Sequence, residues 1–267
     1  MPFEMHEANG LNWLTSSQLA EVRHGFSTRK GGVSLPPWNS LNLGVGRGDK
    51  HSAVLENYRR FFQVIDLPVE RAVLSKQVHE TTVRICTNID AGKGLFSSRD
   101  YTADALITNV PDLPLVVFSA DCGIILLYDP VCNAVGAVHA GWRGCAAGIL
   151  EDTVRKMKET YGSDPQNIRA AIGPCIGQCC FETDQDVPNA MLSALGSEAT
   201  PYLEQRGNKW HVDLAGLNRQ WLIHAGLLPE HVDSCGICSA CHPELLWSHR
   251  KMGDARGAQI AVISLWR

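Results

Sequence analysis

The sequence predicts an α/β (α+β) fold, a single domain spanning 1–267 in which mixed β-sheets pack with helices. Three observations carry that expectation. Aliphatic runs at 115–118, 124–128 and 134–138 are short, continuous and bounded by turn residues, the pattern of strands buried on both faces. Within 49–67, Val54, Tyr58, Phe61, Phe62 and Ile65 recur at helical spacing ahead of Pro68. No repeat, low-complexity run or linker divides the sequence, so one core is the simplest arrangement.

Taken in order, residues 1–23, with Trp13 and Leu14, predict an N-terminal strand or short helix. The segment 24–34, HGFSTRKGGVS, combines hydroxyl residues, two cations and Gly31-Gly32. It reads either as a solvated turn or as a loop whose N–H groups face an anion. A second polar–apolar loop lies at 39–44. Beyond the 49–67 helix, 73–74, 77–79 and 82–86 predict a strand pair or one bent strand carrying His79. Residues 91–99 read as a loop and 103–108 as a short strand with Asp104 at its start. Asp129-Pro130 punctuates a hairpin, and 141–161 reads as one helix with Ile149, Val154 and Met157 inward. A strand at 168–172 runs into the glycine-bearing turn 173–182. Residues 187–195 predict a short helix, 210–225 an extended piece that becomes a helix, and 260–265 the last strand.

A formal charge of −4 argues against global attraction to nucleic acid or anionic membrane and leaves only a local cationic pocket. The opening MPFEMHEANG has no basic start or apolar h-region, and Asp121 interrupts the longest apolar stretch. The expectation is therefore a cytoplasmic protein with no membrane or nucleic-acid partner, taken as a monomer although nothing in the sequence decides its oligomeric state. Ten cysteines in such a chain predict reduced, mostly buried thiols, with some metal ligands among them.

Asp121, Cys122, His139 and Arg143 sit at the ends of core-like strands, where unpaired polar groups cost free energy unless they have a task. His79, Cys122 and His139 have the composition of a catalytic zinc site, three nitrogen or sulfur ligands with a fourth position open. The same residues also suit a thiol hydrolase, with Cys122 as nucleophile, His139 as its base and Asp121 or Asp104 beside them. Spacing leaves both open, and they compete, because a liganded thiolate is not free to attack. Cys235-x2-Cys238-x2-Cys241-His242 suggests a structural zinc or part of an iron–sulfur site. The fourth cysteine of the bacterial cluster run is replaced by Leu245, and adjacent Cys241 and His242 make an awkward tetrahedral pair, so buried thiols beside a turn are expected. His242-x-Glu244 matches half of the base-deaminase signature, but no Pro-Cys-x-x-Cys follows. Gly141-Trp142-Arg143-Gly144 lacks the ending of a Walker loop, while Arg143 at a helix start remains suited to an anion.

Several separated motifs then occur in a familiar order: Gln77-Val78-His79, 102–108 (TADALIT), Ser119-Ala120-Asp121-Cys122, Asp129-Pro130, 136–144 (GAVHAGWRG), 172–176 (IGPCI) and Ser248-His249-Arg250. Together with 24–34 and 40–44 they resemble the YfiH-like family over nearly the whole chain. Its members were first labelled multicopper polyphenol oxidoreductases or laccases and are now described as purine nucleoside phosphorylases with adenosine deaminase and methylthioadenosine phosphorylase activities. The resemblance implies a YfiH-like, cysteine-hydrolase-type α/β domain with His79, Cys122 and His139 holding zinc, copper ranking behind it. It implies phosphorolysis of adenosine, inosine, guanosine and methylthioadenosine to base and ribose-1-phosphate, and deamination of adenosine to inosine. In that setting Asp121 is the candidate proton shuttle, and Arg143 and Arg29 are the candidate phosphate clamp. Ser27, Arg29, Gln77, Ser248 and Arg250 are the candidate substrate contacts. The rivals are a Cys122 hydrolase acting on substituents of cell-wall precursors, a copper-dependent polyphenol oxidase, and a zinc-binding partner protein without turnover. Two departures from the family pattern stand out. Gly123-Ile124 follows the Asp-Cys pair, and beyond Met252 the expected arginine is Ala258, leaving Arg256 as a substitute one position early.

Overall fold

The three buried runs are strands, and alternation along each decides which layer its side chains enter. In this computed structural model, which describes residues 3–266, the chain opens with an antiparallel meander of β1 (Phe3–Ala8), β2 (Leu11–Ser16) and β3 (Arg23–Ser27). Helix α1 (His51–Val64) and the short β4 (Val73–Leu74) follow, then β5 (Val83–Ile85), β6 (Ala105–Thr108), β7 (Leu115–Ser119), β8 (Gly123–Asp129) and β9 (Ala134–Ala140). Next come α2 (Trp142–Ala146), α3 (Ile149–Tyr161), β10 (Arg169–Ile172), β11 (Glu182–Thr183), α4 (Asp186–Leu195), β12 (Leu203–Arg206) and β13 (Lys209–Val212). The chain ends with α5 (Leu214–His224), β14 (Val232–Ser234), the one-turn α6 (His249–Met252) and β15 (Gln259–Ser264).

Two six-stranded mixed sheets, ordered β1-β2-β3-β15-β7-β4 and β14-β10-β8-β9-β6-β5, pack face to face, and a three-stranded sheet β11-β13-β12 lies to one side. Leu115 and Val117 of β7 and Ala261 and Ile263 of β15 meet Ile124 and Leu126 of β8 and Val135 and Ala137 of β9 between the sheets. The alternate residues point outward: Val116, Phe118, Ile260 and Val262 cover α1, while Ile125, Leu127 and Val138 cover α3 and α5. Period-two alternation on doubly covered strands thus produces four layers, helix–sheet–sheet–helix. Tyr58, Phe61 and Phe62 of α1 are fully buried, each contributing about 1.5–3 kcal/mol of apolar transfer.

The N-terminal segment is strand, one of its two expected forms, a hairpin that β3 extends into a meander. Three expectations need correction. β3 takes in residues 24–27 of the supposed loop. Farther along that loop the N–H groups of Arg29, Gly32 and Val33 are bound by Leu245 O, Ser40 Oγ and Asn57 Oδ1, so protein acceptors occupy them rather than an anion. The 141–161 helix is two helices, because Gly148 adopts φ +80°, a left-handed turn that ends α2 and redirects the chain into α3. His79 lies on no strand but in a turn between β4 and β5. Among the described residues no helix is long and apolar enough to cross a membrane.

His24 on β3 supplies a testable pH dependence. It is buried; its Nε2 accepts from Ser16 N at 2.8 Å and its Nδ1 donates to Val22 O at 3.1 Å, so only the neutral ring fits. Burial, opposed in part by the Val22 carbonyl, lowers its pKa. A depressed folded pKa means stability present above the unfolded value of about 6.5 and lost as pH falls through the folded one. The Tm of the wild type should therefore fall more steeply between pH 7 and pH 5 than that of His24→Gln; parallel slopes would exclude this role.

Candidate metal centre and substrate cavity

Strand register assembles the centre. His139 continues the inter-sheet face of β9 occupied by Val135 and Ala137, and it pairs with Ile124 of β8, which places Cys122 beside Gly141. A Cβ at Gly141 would lie 2.9 Å from Cys122 Sγ and 3.0 Å from His79 Cδ2, so only glycine leaves room for the sulfur and the ring. Asp104 precedes β6, and its carbonyl extends the β6–β9 ladder by accepting from His139 N at 2.7 Å. Its fully buried carboxylate binds His139 Nδ1 at 2.8 Å and accepts the N–H groups of Val78, His79 and Glu80 at 3.0, 3.0 and 3.1 Å. One carboxylate therefore orients one histidine through its ring and the other through its backbone, holding His79 at φ +65°. The Gln77 side-chain amide fixes the same turn from the other side, bonding Phe118 O at 2.7 Å and Phe118 N at 2.9 Å.

The donor atoms of His79, Cys122 and His139 lie within 4.8 Å of one another, with Cys122 Sγ 3.8 Å from His79 Nε2. Sulfur and nitrogen ligands around one tetrahedral ion stand about 3.5 Å apart, so the three fit a metal with little adjustment. With Nδ1 committed to Asp104, Nε2 is the nitrogen of His139 left to face the cluster, the arrangement in which a carboxylate fixes the tautomer of a ligating histidine. Burial opposes the Cys122 thiolate, but His139 and His79 outweigh it and bring the thiol down to about 6. Burial also opposes the His139 imidazolium, which the Cys122 thiolate and Asp104 raise to about 9. For Asp104 burial is overcome by His139 and the turn N–H groups, so its carboxyl sits below the usual range. The downward shift favours the thiolate that ligation requires.

His79 and Cys122 form part of the wall of a 380 Å³ cavity, a volume suited to a small ligand, while His139 is buried and outside the lining. Trp142, Ile176, Phe181 and Leu214 supply its apolar lining and Arg47, His249, Arg250 and Arg256 its polar lining, with the Arg250 guanidinium 5.9 Å from the centre of the Phe181 ring. Two wider clefts, of 530 and 550 Å³, lack the His–Cys–His set. Asp121, at φ +93°, belongs to the cavity wall, its oxygens accepting from Ser239 Oγ at 2.6 Å and Arg250 N at 2.7 Å. Arg250 in turn binds the carbonyls of Cys180 and Glu182.

The other residues singled out in the sequence stand elsewhere. Arg143 is exposed, stacked on the Trp142 ring at 4.2 Å, outside the cavity lining. Arg29 donates to Pro243 O and Asn39 O and stacks on Trp247 at 4.0 Å. Ser27 Oγ accepts from Ile260 N, and Ser248 caps α6. Arg47 escaped the sequence reading; the only signal for it was its place between Gly46 and Gly48, which leaves the backbone free to turn the guanidinium inward.

A family model described as multi-copper polyphenol oxidoreductase laccase matches residues 23–266. The chain belongs to this family. Within the laccase-like family, it is 32% identical over 256 residues to the purine nucleoside phosphorylase YlmD of Bacillus subtilis, covering 94% of this chain and 91% of that one. It is 38% identical over 225 residues to the purine nucleoside phosphorylase YfiH of Escherichia coli, covering 84% and 86% of the two chains. The crystal structure of YlmD from Geobacillus stearothermophilus superposes with a TM-score of 0.92 at 32% identity, covering 100% of this chain and 99% of that one. The mixed α/β architecture is therefore that of solved laccase-like family members, and the names of the relatives support an enzyme.

Proposed function

We propose that the protein is a zinc-dependent purine nucleoside phosphorylase acting on adenosine, inosine, guanosine and methylthioadenosine, and that it also deaminates adenosine. The observation that carries this reading is one cavity that gathers aromatic side chains and three arginines beside the His–Cys–His set. A flat purine suits stacking on Phe181 or Trp142. Phosphate suits Arg47, Arg250 and Arg256, since guanidinium groups hold two phosphate oxygens at once. Arg256 is 8% exposed and its Nε has no hydrogen-bond partner among the described residues, so an entering anion satisfies a donor the protein leaves open. Burial, together with Arg47, lowers the pKa of Arg256, and an anion between the two relieves both penalties.

Phosphorolysis requires a phosphate oxygen to bond to C1′ while the base departs with the electrons of the glycosidic bond. On this reading the arginines place the phosphate and the apolar lining places the base. When bound at His79, Cys122 and His139, zinc supplies a Lewis acid with one open coordination position. For deamination we assign proton transfer to Asp121, held by Ser239 Oγ and Arg250 N in the cavity wall. The Asp104–His139–Cys122 chain with its lowered thiol supports a second reading, a cysteine hydrolase.

Inosine turnover should require phosphate and release ribose-1-phosphate. Arg256→Ala should raise the KM for phosphate about 10- to 100-fold, the worth of a charged hydrogen bond, with little change in the KM for inosine. Turnover indifferent to phosphate, or an unaltered phosphate KM in the variant, would overturn the reading.

A further inference from the structure

A second group of metal-capable side chains lies behind the cavity wall, and its ligands come from two loops that the fold forces together. β10 and β14 pair in parallel, Ala170 with Val232 and Ile172 with Ser234, so the segments leaving their C-terminal ends run side by side. Cys175 and Cys238 form an isolated bridge beyond the strands, and Ser239 N donates to Cys175 O at 2.9 Å. This pairing sets Cys179 and Cys180 of the first loop against Cys238 and Cys241 of the second. Their four sulfurs lie within 4.8 Å of one another, with Cys241 Sγ 3.4 Å from Cys179 Sγ and 3.5 Å from Cys180 Sγ. Cys235 and His242, the other members of the sequence motif, stay out: Cys235 Sγ faces Ile237 N, and His242 pairs with Glu244.

We propose that Cys179, Cys180, Cys238 and Cys241 bind one structural zinc ion. Zinc–sulfur bonds of about 2.3 Å put tetrahedral thiolates about 3.8 Å apart, whereas a disulfide needs about 2.05 Å. The observed spacing is that of ligands around a single ion. Gly177 N donates to Cys238 Sγ at 3.2 Å, the kind of backbone bond that steadies a thiolate, and a Cβ on Gly177 would stand only 3.4 Å from Cys179 Sγ. Four sulfurs close the coordination shell and leave no position for substrate, so the ion is architectural. Its task follows from what the loops carry. Ile176 and Phe181 line the cavity, Ser239 holds Asp121, and Arg250 is anchored on the carbonyls of Cys180 and Glu182. The ion ties together the two segments that seat this wall.

The test is metal content, by mass spectrometry, of the full chain purified under reducing, chelator-free conditions, with X-ray absorption on the Cys122→Ser protein. Cys122→Ser should retain one zinc in an all-sulfur shell at about 2.3 Å. Cys241→Ser and the milder Cys179→Ser, at an exposed position, should each lower the zinc content of the wild type by one. A mixed nitrogen–sulfur shell in Cys122→Ser, zinc content unaltered by both cysteine variants, iron in place of zinc, or a disulfide among the four on thiol titration would overturn the proposal. An all-sulfur zinc in a protein that turns over no nucleoside would leave this inference standing and remove the phosphorylase reading.

Discussion

Asp104→Asn should weaken metal binding and nucleoside turnover about 10- to 100-fold, the usual cost of losing a carboxylate behind a ligating histidine. The reason lies in the bonding of the two oxygens: one takes His139 Nδ1 and His79 N, the other Val78 N and Glu80 N. An asparagine can offer its oxygen to only one of these pairs, and its NH2 then confronts the donors of the other. Each buried donor left unsatisfied costs about 1–3 kcal/mol, so Tm should fall together with metal affinity. Wild-type Tm and metal retention in this variant would show that the carboxylate is not what positions the two histidines.

Cys122→Ser should lose one metal ion per chain and reduce phosphorolysis on the order of 1000-fold, since Lewis-acid stabilisation is worth several kcal/mol and each 1.36 kcal/mol is tenfold in rate. The chemistry of the thiol separates the two readings of this residue. With its pKa brought to about 6 by the neighbouring imidazoles, Cys122 in chelator-treated protein should react quickly with iodoacetamide at pH 7, and zinc should protect it. A hydrolase nucleophile behaves the other way: activity survives chelation and is abolished by alkylation. That pattern would transfer the protein to the cysteine-hydrolase class.

The core strands were legible because each is apolar on both faces and bounded by turn residues: the expected 124–128 is Gly123–Asp129, and 134–138 is Ala134–Ala140. Residue type beside strand ends pointed to Cys122 and His139, whereas His79 was expected on a strand and stands in a turn. The double role of Asp104 was not, since bonds to three successive N–H groups belong to a turn that only tertiary structure forms. Composition made Arg29 look like an anion site, but its guanidinium serves the carbonyls of loops distant in sequence, while Arg256 and Arg47 face the cavity. Cys179 and Cys241 are 62 positions apart, and only the parallel pairing of β10 with β14 makes them neighbours. The break at Gly148 was masked because one glycine in a helical pattern carries no mark of its φ.

The side chains of the His–Cys–His cluster hang from both sheets, His79 from the turn after β4 in the first and Cys122 and His139 from β8 and β9 in the second. An ion held there rivets the two halves of the sandwich at their open rim. Free energy of binding then becomes resistance to local opening, growing as RT ln(1 + [L]/Kd) with free ion concentration. A cell starved of metal would hold a chain whose sheets lack this tie, so the same contacts would also set the lifetime of the unloaded protein.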